Sequence, residues 1–119
     1  MPGTKKYHHV LYATDLGSHE KTVRSRVKSV ATLNDAKISI VHVIESMPMF
    51  MDMTGYLNTA EIIDRMQEEA KVALKKIAKD LEVDENRQHV VIGSPKSVIV
   101  ELAEKIKADL KLLGHITVT

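Results

Sequence analysis

A chain of 119 residues has room for one domain and buries roughly two-thirds of its unfolded surface on folding, enough for a core without staples. It holds no cysteine, which excludes a disulfide framework and any thiolate nucleophile or thiolate metal site. With 17 Lys and Arg against 16 Asp and Glu, one Phe, three Tyr and no Trp, it has neither the basic stripe nor the stacking rings of a nucleic-acid binder. No apolar run approaches the ~20 residues of a membrane span and no signal peptide is visible, so the expectation is a cytoplasmic protein without membrane contact.

The first element is a short, bounded apolar stretch, Val10 to Ala13, which reads as a buried strand ending on Thr14-Asp15. Ser18 is a good N-cap for the segment that follows, where Val23, Val27, Val30 and Ala31 form one apolar stripe of a helix over Ser18 to Leu33. Asn34-Asp35 ends that helix. Lys37 to Ile44 is rich in β-branched residues and predicts a second, largely buried strand. Asn58 with Glu61 three residues later makes a capping-box-like start to the longest helix, whose stripe is Ile63, Met66, Ala70, Leu74, Ile77 and Leu81. His89 to Ile92 is a third strand, Gly93-Ser94-Pro95 a turn, and Ile99, Leu102, Ala103 and Ile106 the buried face of a third helix. Leu110 to Leu113 supplies a fourth strand, closed by Gly114.

Strands alternating with helices across brief connections imply an α/β fold: a Rossmann-like open parallel sheet of four strands with helices on both faces, wound by right-handed crossovers. If three strands wind outward and the fourth returns beside the first, the order reverses between strands one and four. Ligands collect at such a switch point. The crevice there is expected to be lined by Thr14, Asp15, Gly114 and His115.

These residues carry a resemblance. The strand end Ala13-Thr14-Asp15 with Ser18 close behind, Val41-His42-Val43, Gly93-Ser94-Pro95 and the run Ala108 to Gly114 resemble, in combination and in order, the universal stress protein family over about residues 5 to 114. The resemblance implies a five-stranded family fold of which this chain holds four strands, with residues 1–119 forming one domain shortened at its C-terminus. It implies that Asp15 lies at the adenosine end of an adenine-nucleotide site and that the strand near Val41 offers backbone contacts to the base. Nucleotide-binding members follow strand four with a phosphate loop of pattern Gly-x-x-Gly, about nine residues, then Gly-Ser or Gly-Thr. Gly114 fits its first position, but Thr117 stands where the second glycine belongs. The branch lacking this loop is therefore favoured, with no resident cofactor. The implied function is a stress-response role exercised through dimerisation and partner contacts rather than catalysis, and the alternative is an ATP- or AMP-binding regulator.

Other features have plainer readings. Asp15 either faces a ligand or braces its loop, and His42 reads as a packed strand residue. His115 reads as a solvated turn. His8 and His9 project to opposite faces, which disfavours a shared metal. Lys111 is expected on a partly open surface and Lys75, Lys76 and Lys79 on the wet face of the long helix. Met47, Met49, Met51 and Met53 fall at every second position, and soft thioethers suit Cu(I), but Pro48 and Gly55 favour a hydrophobic flap over a copper site. No catalytic set emerges. Four strands with three helices leave one sheet face thinly covered, the first helix being expected there almost alone, and strand four an open edge. The expected outcome is a homodimer through the side bearing Leu110, Leu112, Ile116 and Val118.

Overall fold

The computed structural model describes residues 6–45 and 59–113. Four strands, β1 (His9–Ala13), β2 (Lys37–Ile44), β3 (Gln88–Ile92) and β4 (Leu110–Leu113), form one parallel sheet in the order β3-β2-β1-β4. The connections are helices α1 (Glu20–Asn34), α2 (Thr59–Leu81) and α3 (Pro95–Ile106), with a short 3-10 turn at Glu85–Arg87 before β3. The sheet is the open parallel one expected, reversing between β1 and β4. Among the described residues no helix is long and apolar enough to cross a membrane.

Register fixes which side chains share a face. Val10 lies beside Ile38 and Leu110, and Tyr12 beside Ile40 and Leu112, so these residues point to one side of the sheet. There they meet Val23, Val27 and Ala31 of α1 and Leu74, Ile77 and Leu81 of α2 in the larger core. Leu11, Ala13 and Val41 point to the other side, where the smaller core is closed by Ile99, Leu102 and Ala103 of α3.

The assignment of helices to faces thus differs from expectation, since α1 and α2 share a face and, among the described residues, α3 is alone on the other. The handedness of the crossovers explains it. Two outward steps, β1 to β2 and β2 to β3, put both right-handed connections on one side, and the return from β3 to β4 puts its helix on the opposite side.

Two local expectations are also corrected. Helix α1 starts at Glu20 with His19 as its N-cap, because the chain first makes a tight turn in which Glu20 N donates to Gly17 O at 3.2 Å, and this leaves Ser18 in the turn. Met66 is 39% exposed, since the deep contacts of α2 begin only at Ala70. The Asn58 cap lies outside the described residues, as does the Met47 to Met53 run.

The amino ends of the strands are tied down by side chains. Asn34 Oδ1 accepts the backbone N–H groups of Lys6 and Tyr7 at 2.9 and 3.1 Å. The Asp109 carboxylate accepts those of His8 and His9 at 2.9 and 3.0 Å, and these donors hold its pKa below the usual carboxylate value. His9 bridges the sheet to the end of α3, with Nε2 2.7 Å from Ser39 Oγ and Nδ1 3.1 Å from Ile106 O. A carbonyl can only accept, so Nδ1 carries a proton and the Ser39 hydroxyl donates to Nε2 of the neutral ring. The crevice opens at the opposite, carboxyl ends of the strands.

Candidate functional site at the carboxyl ends of the strands

The crevice begins with the turn that follows β1. Thr14 extends the β1–β2 ladder by one bond, its N–H donating to Val41 O at 2.9 Å. Two short side chains then set the turn: Thr14 Oγ1 accepts from Leu16 N at 3.0 Å, and Asp15 Oδ1 accepts from Gly17 N at 2.8 Å. Between them Leu16 has a φ of 60°, a left-handed conformation that a branched-chain residue adopts only when its surroundings enforce it. The two side-chain bonds and the packing of Leu16 against the larger core supply that enforcement.

The opening so formed has a volume of about 330 Å³ and is walled by all the elements that meet at the switch point. Ala13 comes from the end of β1, Thr14 and Asp15 from the turn that follows it, and Val41 and Val43 from β2. Pro95 and Ile99 come from the first turns of α3, and Leu113 from the end of β4. Two further residues of polar character also line it, His42 and Glu45. His42 Nδ1 lies 2.8 Å from Thr14 O. That carbonyl requires a proton on Nδ1, which in the neutral ring leaves Nε2 as an acceptor.

Three of the five expected site residues, Thr14, Asp15 and Val41, are therefore brought together. Gly114 and His115 lie outside the described residues. Asp15 both braces its loop and lines the crevice, so the two readings of this residue are not exclusive. His42 and Glu45 are additions. The position of Glu45 immediately after β2 is a usable signal, whereas strand periodicity gives His42 no distinction from a packed neighbour.

A larger opening of about 430 Å³ lies between α2 and β3, lined by residues such as Lys71, Val72, Glu85 and Gln88. It is off the carboxyl ends of the strands, and of its lining residues only Glu85 comes from a turn, so volume alone does not make it the better candidate. Among the described residues no cluster of three or more His, Asp or Glu side chains could hold a metal ion.

Beside the crevice, under α1, Tyr12 and Glu20 are buried together. The Tyr12 hydroxyl donates to Glu20 Oε2 at 3.1 Å, and burial pushes its pKa up to about 12, so it stays a donor at any physiological pH. The Arg24 guanidinium grips both oxygens of Glu20, with Nε 2.9 Å from Oε2. Every polar group of this set is satisfied internally. It anchors the first helix rather than presenting chemistry to a ligand.

Residues 6–116 match the universal stress protein family. The chain is similar to universal stress protein A homolog 1 from Coxiella burnetii, with 34% identity over 110 residues that cover 91% of this chain and 76% of the relative. Among solved structures it resembles universal stress protein UspA from Lactobacillus plantarum, with a TM-score of 0.74 at 17% identity over 92% of this chain and 78% of the other, a likeness of fold alone. A universal stress protein in complex with cAMP also matches, with a TM-score of 0.55 at 25% identity, covering 88% of this chain and 70% of that one.

Proposed function

Because the chain belongs to the universal stress protein family, we propose that it is a cytoplasmic, non-catalytic stress-response protein acting through self-association and partner contacts. The observation that carries this reading is the uneven dressing of the sheet. Among the described residues one face has two helices and the other only α3, and β4 stands at an edge beside that thinner face. Leu113 is 37% exposed there and Val100 on α3 is 40% exposed. An edge strand offers unpaired backbone groups to a second strand, and apolar side chains beside it are shielded when the pairing forms. A two-fold arrangement satisfies both copies with the same patch.

Sedimentation velocity tests it. The expected species has twice the 13.3 kDa chain mass, and Leu113→Glu shifts it toward monomer while circular dichroism stays unchanged. A wild-type chain that remains monomeric at high protein concentration removes the proposal.

The second reading, an adenine-nucleotide-responsive protein, is favoured by the crevice. Asp15 and Val41, to which the family resemblance assigns the adenosine end and the base contacts, both line it together with Thr14, and a protein similar to this chain has been solved with cAMP. Calorimetric titration with cAMP tests that reading, which falls if no adenine ligand binds.

A further inference from the structure

The last turn of α3 meets two histidines at the amino ends of the strands, on the side of the fold opposite the crevice. His9 of β1 and His89 of β3 flank β2 on the face that α3 covers: His89 lies beside Val41, and Leu11, two residues on from His9, lies beside Ser39. Their neighbours on the helix are consecutive residues. The Ile106 carbonyl oxygen is 3.1 Å from His9 Nδ1, and the charge of Lys105 acts on His89. From this arrangement we infer that the two histidines form an acid-released latch: when both rings are protonated, the segment 104–109 leaves the sheet while the face covered by α1 and α2 stays folded. The latch is independent of what the crevice binds.

Neutral rings are what the arrangement fits. The end of an α-helix leaves its last carbonyls without intrahelical partners, and the Nδ1 proton of His9 satisfies that of Ile106. Nε2 accepts from the Ser39 hydroxyl at 2.7 Å, and Ser39 is 1% exposed. Protonation turns Nε2 into a donor, so the hydroxyl hydrogen loses the one acceptor it has among the described residues. His89 is partly buried and has no hydrogen-bond partner among the described residues, so a charged ring there gains nothing and is repelled by Lys105.

The charges around His9 come from several elements. Lys37 on β2 and Arg87 ahead of β3 oppose a positive ring, whereas Asp109 ahead of β4 favours it together with the Ile106 carbonyl. His8, exposed beside it, draws on the same Asp109 carboxylate. Burial outweighs the favourable pair, and both rings titrate below the usual histidine value. The latch is therefore complete above about pH 6.5 and is lost as pH falls through the lowered values, because the released segment binds protons that the closed one does not. Ile106 and Ala108 pack against the smaller core, so release bares its margin at the amino ends of the strands.

Nitrogen-15 relaxation of the full chain, followed from about pH 7.5 to about pH 4.5 with the histidine side-chain titrations read in the same samples, tests the inference. Backbone order parameters over 104–109 are expected to fall from a rigid value of about 0.85 to below about 0.6 in step with protonation of the two rings, while those of Val23, Val27 and Leu74 hold. His9→Gln/His89→Gln places neutral amides at both positions and should leave the segment rigid across the range. Lys105→Glu, a change at an exposed residue, gives a protonated His89 a counter-ion and should move release to lower pH. Rings that titrate while 104–109 stays rigid overturn the latch, as does loosening that persists in the double glutamine variant. Loss of order at Val27 and Leu74 together with 104–109 overturns it too, because acid then unfolds the whole chain. If the double variant does not fold, Lys105→Glu decides alone, and an unchanged midpoint of release overturns the latch.

Discussion

Replacing Arg24 by Met isolates the polar anchor that ties α1 to the sheet. Glu20 lies on the first turn of α1 beneath Tyr12, with its side chain 11% exposed, and Arg24 is the cation that neutralises it. Arg24→Met leaves that carboxylate with the Tyr12 hydroxyl alone. Removing one partner of a buried pair costs ~3–5 kcal/mol, but Arg24 is itself 20% exposed, so water re-enters and about 2–3 kcal/mol is the working value. The outer contacts are worth much less. Asp80 meets Arg24 at 3.4 Å and Lys28 at 3.3 Å at the solvent-exposed surface, and its removal should leave stability nearly unchanged. Urea unfolding at pH 7 with an unchanged m-value measures both. The Arg24→Met thermal midpoint should fall by about 8–12 °C, at ~4 °C per kcal/mol for a domain of this size. Combining it with Glu20→Leu should restore most of the loss, because an apolar pair replaces a buried charge. An Arg24→Met protein within about 0.5 kcal/mol of wild type refutes the reasoning, as does a double variant no more stable than the single one.

Burial lowers the pKa of His9, assisted by Lys37 and Arg87 against the opposing Ile106 carbonyl and Asp109 carboxylate, and burial followed by Lys105 lowers that of His89. The unfolded chain therefore binds more protons below about pH 6.5, so stability present above that pH should fall on acidification, with the slope flattened in a His9→Gln/His89→Gln variant. Leu11→Ala should cost about 3 kcal/mol in urea unfolding, because Leu11 is fully buried at the centre of the α3 face and a central strand collapses poorly around the void. Two glycine exchanges should have opposite signs. Lys107 closes α3 with a φ of 58° and an exposed side chain, so Lys107→Gly should raise stability by ~0.5–1 kcal/mol. Gly93 has a φ of 157° and its added Cβ would lie 3.0 Å from Val98 Cγ2, so Gly93→Ala should lower stability by ~1–3 kcal/mol. Thermal melts of the two proteins check both signs.

Local chemistry along the chain determined the element order and the strand order. Val10–Ala13 and Lys37–Ile44 are runs of β-branched and apolar residues too short for helices, and the stripe Ala70, Leu74, Ile77, Leu81 has a helical period that no strand accommodates. With four strands and three crossovers, chirality leaves few windings, so a carboxyl-end crevice at Thr14-Asp15 follows from the sequence. Tertiary structure alone decided the rest. Glu20, charged and at a helix start, reads as solvent-facing until Tyr12 and Arg24 enclose it from elements that are remote or one turn away. Met66 has the right period for the core, yet it is 39% exposed because the buried residues of α2 begin only at Ala70. His42 joins the crevice because its ring meets Thr14 O, a residue 28 positions earlier. Periodicity records which way a side chain leaves its own element. What it meets there depends on where other elements stop, and that is set by the packing of the whole sheet.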